Sequence, residues 1–322
     1  MRNKSEPTLP DGELAYYSRD QHEVSRNDIS PNAVKVLYRL HNAGFRACLV
    51  GGGVRDILLG LKPKDFDVAT DASPEQVNDL FRNCRLIGRR FRLAHILFGR
   101  EIIEVATFRG HHAQDASNNV EKNDKKSPSH SSSEGMILRD NVFGSIEEDA
   151  IRRDFTVNAL YYDISDFSVQ DFCHGMEDLD DRLLRMIGDP ETRYREDPVR
   201  MLRAVRLAVK LDLDIEEHTA KPLKKLSTLL SDIPTARLWD ESHKLFLSGY
   251  SAPTFAMLEQ YDLLTPMLPQ MSKSIEDNNN PDFRAFIQDA LQNSDKRIQA
   301  NKSLNPAFLY ACFLWQAHST NH

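Results

Sequence analysis

Cysteine is scarce here: the four residues, Cys48, Cys84, Cys173 and Cys312, are scattered and form no CxxC pair. That excludes a disulfide framework and a cysteine zinc site of ordinary spacing, and a reducing cytoplasm is the expected setting. No apolar run reaches the ~18 residues of a membrane span. The opening stretch MRNKSEPTLPDGELAYY has no apolar signal-peptide core. An excess of positive charge is also missing. The net charge is −7, which on average argues against nucleic-acid binding, so any affinity for phosphate backbones has to come from local clusters of Lys and Arg. GK[ST] is absent as well, which excludes a P-loop.

What is present is length and a change of pattern. A chain of 322 residues leads us to expect two or three domains. Residues 1–29 are expected to form a flexible tail. Ser30 and Pro31 then read as an N-cap and first helical residue, and Val34, Leu37 and Leu40 recur at helical spacing to about Asn42. Phe45 to Val50 reads as a buried strand entering three glycines, Val54 to Leu59 as a short helix and Asp65 to Ala69 as a strand. Ser73 and Pro74 open another helix. Leu93 to Phe98 and Ile102 to Phe108 have the branched and aromatic residues of a hairpin turned at Gly99. From 111 to 134 the sequence is polar and rich in Ser, Asn, Lys and Asp, as expected of a disordered loop. His111, His112 and His130, in or beside it, fit a solvated loop better than a metal site. A helix is expected from Ser145 to Leu160 and a strand from Phe167 to Phe172. After Gly188 only helical periodicity remains, with helices near 194–210, 219–231, 235–248, 251–261, 282–293 and 305–317. The expected fold class is α+β, a mixed-sheet domain followed by a helical one.

Residues 48–70, CLVGGGVRDILLGLKPKDFDVAT, carry the most specific chemistry. Side chains two apart on a strand share a face, so Asp65 and Asp67 are expected to project together while Phe66 points to the core. Two such carboxylates suit Mg²⁺, which is held by one or two carboxylates plus substrate phosphates. A lone DxD is more often a solvated edge strand. The glycines change the balance, because residues without Cβ let backbone N–H groups approach a phosphate at the start of a helix. Asp56 replaces the last glycine of a dinucleotide fingerprint, so the loop is not of that type.

LVGGGVRDILLG followed by DFDVAT resembles the signature of the nucleotidyltransferase branch that contains bacterial poly(A) polymerases and class II tRNA nucleotidyltransferases. The resemblance covers roughly residues 30–315. It implies a nucleotidyltransferase-type mixed-sheet head over 30–187 and a helical neck over 188–275 that selects nucleotide and binds RNA. A helical body would begin at 276 and stop early at His322, without the basic tail usual in the poly(A) polymerases. It also implies that Asp65 and Asp67 hold the metals of a two-Mg²⁺ site, while Gly51, Gly52, Arg55 and Asp56 position the nucleotide.

The family pattern continues with RRDFTVNAL at 152–160, which supplies Arg153 for the nucleotide and Asp154 as a third catalytic carboxylate on the expected helix. Glu104 is a weaker candidate on a strand that could face the metals. The segment 188–206, GDPETRYREDPVRMLRAVR, resembles the nucleotide-selecting region. Asp197 and Arg200, one helical turn apart, can present an acceptor beside a donor fork. Adenine and cytosine both offer the complementary edge, so this pair accepts ATP and CTP and does not separate the two activities. Arg203 and Arg206 on the same helix are candidates for phosphate or RNA, with Leu202, Val205 and Val209 as its core face. LIGRRFRLAHI at 86–96 resembles the poly(A) polymerase version, and Arg89, Arg90, Phe91 and His95 are candidate RNA or triphosphate contacts. The function implied is template-independent transfer of AMP from ATP to an RNA 3′ end. The alternatives are CCA addition to tRNA, or an RNA-binding module without activity.

Overall fold

The glycine turn is fed by a strand and leaves through a helix, and the computed structural model, which describes residues 14–88, 92–110, 143–276 and 282–319, shows the sheet that carries it. The 111–134 loop with its histidines, the tail up to residue 13, and Arg89, Arg90 and Phe91 lie outside the described residues. The chain divides into two units, Met1–Asp181 with Arg185–Asp189, and Arg182–Leu184 with Pro190–His322.

The first unit contains, in chain order, β1 (Ala15–Tyr17), α1 (Pro31–Asn42), β2 (Ala47–Val50), α2 (Gly52–Leu58), β3 (Asp67–Thr70), α3 (Pro74–Leu80) and β4 (Cys84–Ile87). These are followed by β5 (Leu93–Phe98), β6 (Glu101–Thr107), α4 (Ile146–Ile151), β7 (Leu160–Asp163), β8 (Val169–Asp171) and α5 (Gly175–Asp180). The eight strands form one sheet in the order β1-β8-β7-β2-β3-β6-β5-β4. β3 and β6 pair in parallel and the neighbouring pairs are antiparallel. Local chemistry sets the helix starts. Ser30 caps α1 with Pro31 in its first turn, and capping boxes open α3 (Ser73 with Gln76) and α4 (Ser145 with Glu148). Gly99, at φ +64°, turns β5 into β6. On those strands Ala94, Ile96, Ile103 and Val105 are buried, while His95, Ile102 and Glu104 occupy the more open face.

Three expectations fail here. The part of the expected 1–29 tail that is described, from residue 14 on, is built into the first unit: Ala15–Tyr17 form β1 against β8 and Arg26–Asp28 a 3₁₀ turn capped by Ser25. The helix that opens at Ser145 ends at Ile151 rather than near Leu160, because Phe155 becomes extended and bridges Met186 while Thr156–Asn158 form a single 3₁₀ turn. The chain then enters β7 at Leu160, the residue where the helix was expected to end, and Tyr161 and Tyr162 suit a strand. Asp65 precedes β3 rather than opening it, since pairing with β2 begins at the Asp67–Val50 register.

Among the described residues the second unit is helical apart from a two-residue parallel pair, β9 (Leu183–Leu184) with β10 (Asp214–Ile215), which the helical reading of the region missed. Its helices are α6 (Pro190–Glu196), α7 (Val199–Leu211), α8 (Glu217–Ala220), α9 (Leu223–Leu226), α10 (Thr235–Phe246) and α11 (Ser251–Gln260). α12 (Leu264–Met267), α13 (Pro269–Glu276), α14 (Asp282–Gln299) and α15 (Pro306–Ser319) complete it. Pro198, which lacks an N–H, divides the single helix expected over 194–210 into α6 and α7. α7 buries Met201, Leu202, Ala204, Val205 and Ala208, whereas Val209 is only half-buried. α7 packs on α10 and α11, α11 on α14, and α15 on both α13 and α14, so helices on either side of residue 276 share one core.

Candidate active site

Strand register builds the site. Val50, the last residue of β2, pairs with Asp67 on one side and Tyr161 on the other. Asp67 pairs with Glu104, and Glu104 with His95. Residues in direct register face the same side of a sheet at ~4.8 Å per strand, so Tyr161, Val50, Asp67, Glu104 and His95 form one row. Phe66 is 9% exposed and anchors the chain just before β3, while Asp65 and Asp67 stay open to solvent on either side of it. Desolvation, reinforced by the Glu104 charge, raises the Asp67 pKa to about 6; Arg153 opposes the rise and Asp65 adds to it. The residue is nevertheless exposed, and water screens the effect.

Arg153 is placed by the turn after α4. Its Nε donates to the Tyr161 hydroxyl at 2.8 Å, its Nη2 to Asp149 Oδ2 at 3.0 Å and its Nη1 to the Asn158 carbonyl at 3.4 Å. The Tyr161 hydroxyl donates to the same Asp149 oxygen at 2.7 Å, and the guanidinium lies 5.1 Å from the Tyr161 ring centre. Burial works against the charged Arg153, but Tyr161 and Asp149 outweigh it and the pKa is raised. Gly51 adopts φ +68° and ψ −132°, a backbone region open essentially to glycine alone. A Cβ there would sit 3.4 Å from Arg153 Nη1. The turn therefore presents its backbone beside a fixed cation, as an approaching phosphate requires.

Arg55 and Asp56 are 5% and 7% exposed and bind each other at 2.9 and 2.5 Å. Arg55 also donates to the Asn158 side-chain oxygen, and the Asn158 amide donates to Asp154 Oδ1 at 3.1 Å. This chain braces the turn after Gly52 from beneath and links it to Asp154, whose Oδ1 also accepts from the Phe155 N–H at 2.9 Å. Asp154 thus sits in the turn beyond α4, not on a helix, and is 9% exposed. Sequence reasoning missed Asp149, Asn158 and Tyr161. The signal was present in part, since Asn158 follows Asp154 by four residues within the quoted RRDFTVNAL and Asp149 precedes Arg153 by four.

The remaining candidates belong to the helical unit. Asp197 lies between α6 and α7, where its Oδ2 accepts from Arg237 at 2.8 Å. Arg200 donates to the Arg193 carbonyl at 2.8 Å and to Glu196 Oε2 at 2.9 Å. Each therefore has its own partner in this state. Arg206 pairs with Glu241 at 3.4 Å and is half-buried, as is Arg203, so neither stands on an open charged face.

Among the described residues no three His, Cys, Asp or Glu converge to hold a metal ion. The donor set at Asp65 and Asp67 nevertheless fits Mg²⁺. Two solvent-facing carboxylates leave the remaining positions to phosphate and water.

The family described as "Poly A polymerase head domain" matches residues 47–185, and the one described as "Probable RNA and SrmB- binding site of polymerase A" matches residues 212–275. Poly(A) polymerase I of Escherichia coli O6:H1 is 54% identical over 313 residues, 97% of this chain. This chain belongs to the poly(A) polymerase family. It spans 66% of the length of that relative. The CCA-adding enzyme of Lactobacillus helveticus is 36% identical over 228 residues, which cover 71% of this chain and 53% of that enzyme. Among solved structures, the Bacillus stearothermophilus CCA-adding enzyme in complex with CTP matches with a TM-score of 0.61 at 27% identity, covering 82% of this chain and 56% of that one. The poly(A) polymerase head match contains the whole row from Val50 to Tyr161 and the Arg153 network, whereas Asp197, Arg200, Arg203 and Arg206 fall between the two matched stretches.

Proposed function

We propose that this chain carries template-independent adenylation of RNA 3′ ends, with ATP as substrate, Mg²⁺ as cofactor and the cytoplasm as its setting. In this reading the sheet unit is the catalytic head and the helical unit selects nucleotide and binds RNA. The RNA 3′ oxygen forms a bond to the α-phosphorus as the bond from that phosphorus to the pyrophosphate oxygen breaks, and the 3′-hydroxyl proton leaves to solvent or a basic oxygen. Asp65 and Asp67 would hold Mg²⁺, which when bound lowers the cost of the charge that develops on the attacking and leaving oxygens. Arg153 and the Gly51–Gly52 backbone bind the triphosphate. Asp154 ties the same turn to Asn158 and Arg55 and so fixes where the triphosphate rests. Asp197 and Arg200 read the base, with Asp197 exchanging Arg237 for the adenine amino group.

The observation that supports polyadenylation over CCA addition is the identity, 54% to a protein named poly(A) polymerase I against 36% to a CCA-adding enzyme. The test is incorporation of labelled AMP from ATP into RNA by the wild-type chain and by Asp65→Ala and Asp67→Ala. Incorporation that both substitutions abolish supports the assignment, and incorporation that survives them removes the two aspartates from the chemistry.

A further inference from the structure

His95 is engaged on the sheet face that carries Asp67. Its Nε2 lies 3.3 Å from Glu104 Oε2, and the two residues are direct cross-strand partners. Glu104 is in turn the direct partner of Asp67 on β3. Strand register therefore fixes the order Asp67, Glu104, His95, with the imidazole on the side of Glu104 away from Asp67. Two carboxylates in direct register repel each other, and the Glu104 side chain is 41% exposed. A long, half-open side chain pushed by a like charge has several rotamers to escape into. The His95 ring, 25% exposed and stiff beyond its two torsions, engages the Glu104 Oε2 and so limits the rotamers open to that side chain.

We propose that His95 is a positioning residue, which holds the Glu104 carboxylate beside Asp67 and thereby sets how tightly the Asp65–Asp67 pair holds a divalent cation. Partners that orient groups around a metal typically carry about 10–100-fold in metal affinity. The catalytic consequence rests on the adenylation reading; the cation-binding consequence does not.

The test is Mn²⁺ binding to the nucleotide-free protein, measured by titration calorimetry or by the electron paramagnetic resonance of free Mn²⁺. His95→Ala is expected to weaken binding about tenfold, and His95→Gln, whose amide N–H can reach toward Glu104 as a donor, to restore most of it. In a Glu104→Gln background His95→Ala is expected to add little, because the two act as one unit. In the adenylation assay kcat falls at fixed Mg²⁺ while KM for RNA stays unchanged. Unchanged Mn²⁺ binding with a raised KM for RNA would instead make His95 an RNA contact, and additive effects in the cycle would equally overturn the proposal. Should His95→Ala fail to fold, His95→Gln and Glu104→Gln alone carry the cycle. If the wild-type chain adds no AMP while the Mn²⁺ cycle holds, the adenylation reading falls and the role of His95 stands.

Discussion

Replacing Asp67 with Asn should make the protein more stable at neutral pH while disabling its proposed chemistry. The folded Asp67 pKa lies at about 6, raised from the ordinary 3.8 by desolvation and by the Glu104 charge. The folded protein thus holds this proton more tightly than the unfolded chain does. The stability linked to that proton is fully present below pH 3.8 and is lost as pH rises through about 6, leaving wild type at its disadvantage above that. In a sealed site such a rise would correspond to about 3 kcal/mol. Asp67 faces solvent, and screening reduces this to about 1 kcal/mol. For a unit of this size that is about 2–4 °C in Tm. Thermal melts of wild type and Asp67→Asn from pH 5 to 8 in a chelator should show the variant ahead at pH 8, with the gap closing toward pH 5. Added Mg²⁺ should stabilise wild type and narrow the gap at pH 8, because the ion favours the charged carboxylate. A variant less stable than wild type at pH 8, or a gap independent of pH, would refute the reasoning.

Asp149→Ala leaves Arg153 and the Tyr161 hydroxyl without their shared acceptor and should cost about 3–5 kcal/mol, read as a fall of about 6–20 °C in Tm. Gly51→Ala meets no steric bar beyond ordinary contact, so its cost, about 1–3 kcal/mol, comes from the positive φ; denaturant melts should detect it and AMP incorporation should fall with it. Asp197→Ala should relax the choice of base, seen as misincorporation of UMP or GMP in single-nucleotide reactions, while leaving the Tm within about 1 kcal/mol equivalent because the Arg237 pair it breaks is half-exposed.

The sheet of the first unit was legible where one local signal decided the outcome. Ser30–Pro31, Ser73–Pro74 and Gly99 each name a helix start or a turn by their chemistry, and those elements lie where the sequence puts them. The stretch after Ser145 misled because its first turn is a real helix with a capping box, and what ends it is a long-range bridge between Phe155 and Met186 that no local window contains. The same holds at the site. Asp67 could be placed on a strand from its alternating neighbours, but its partnership with Glu104 and, through it, with His95 depends on β3 running parallel to β6, which is a property of the whole sheet. Asp149 follows Glu147 and Glu148 in the sequence with nothing local to single it out; only the folded chain brings it to Arg153 and Tyr161. In the helical unit Pro198 was visible in the sequence, yet the 3.6-residue pattern ran across it and concealed the break.

The most direct measurement is extension of a short RNA and of a tRNA lacking CCA with ATP, CTP, GTP or UTP supplied singly and together. Polyadenylation predicts long A tails on both from ATP alone and no growth with GTP or UTP. A product that takes up C, C and A on the tRNA and then stops, with the short RNA left unextended, would contradict the account and assign this site to CCA addition.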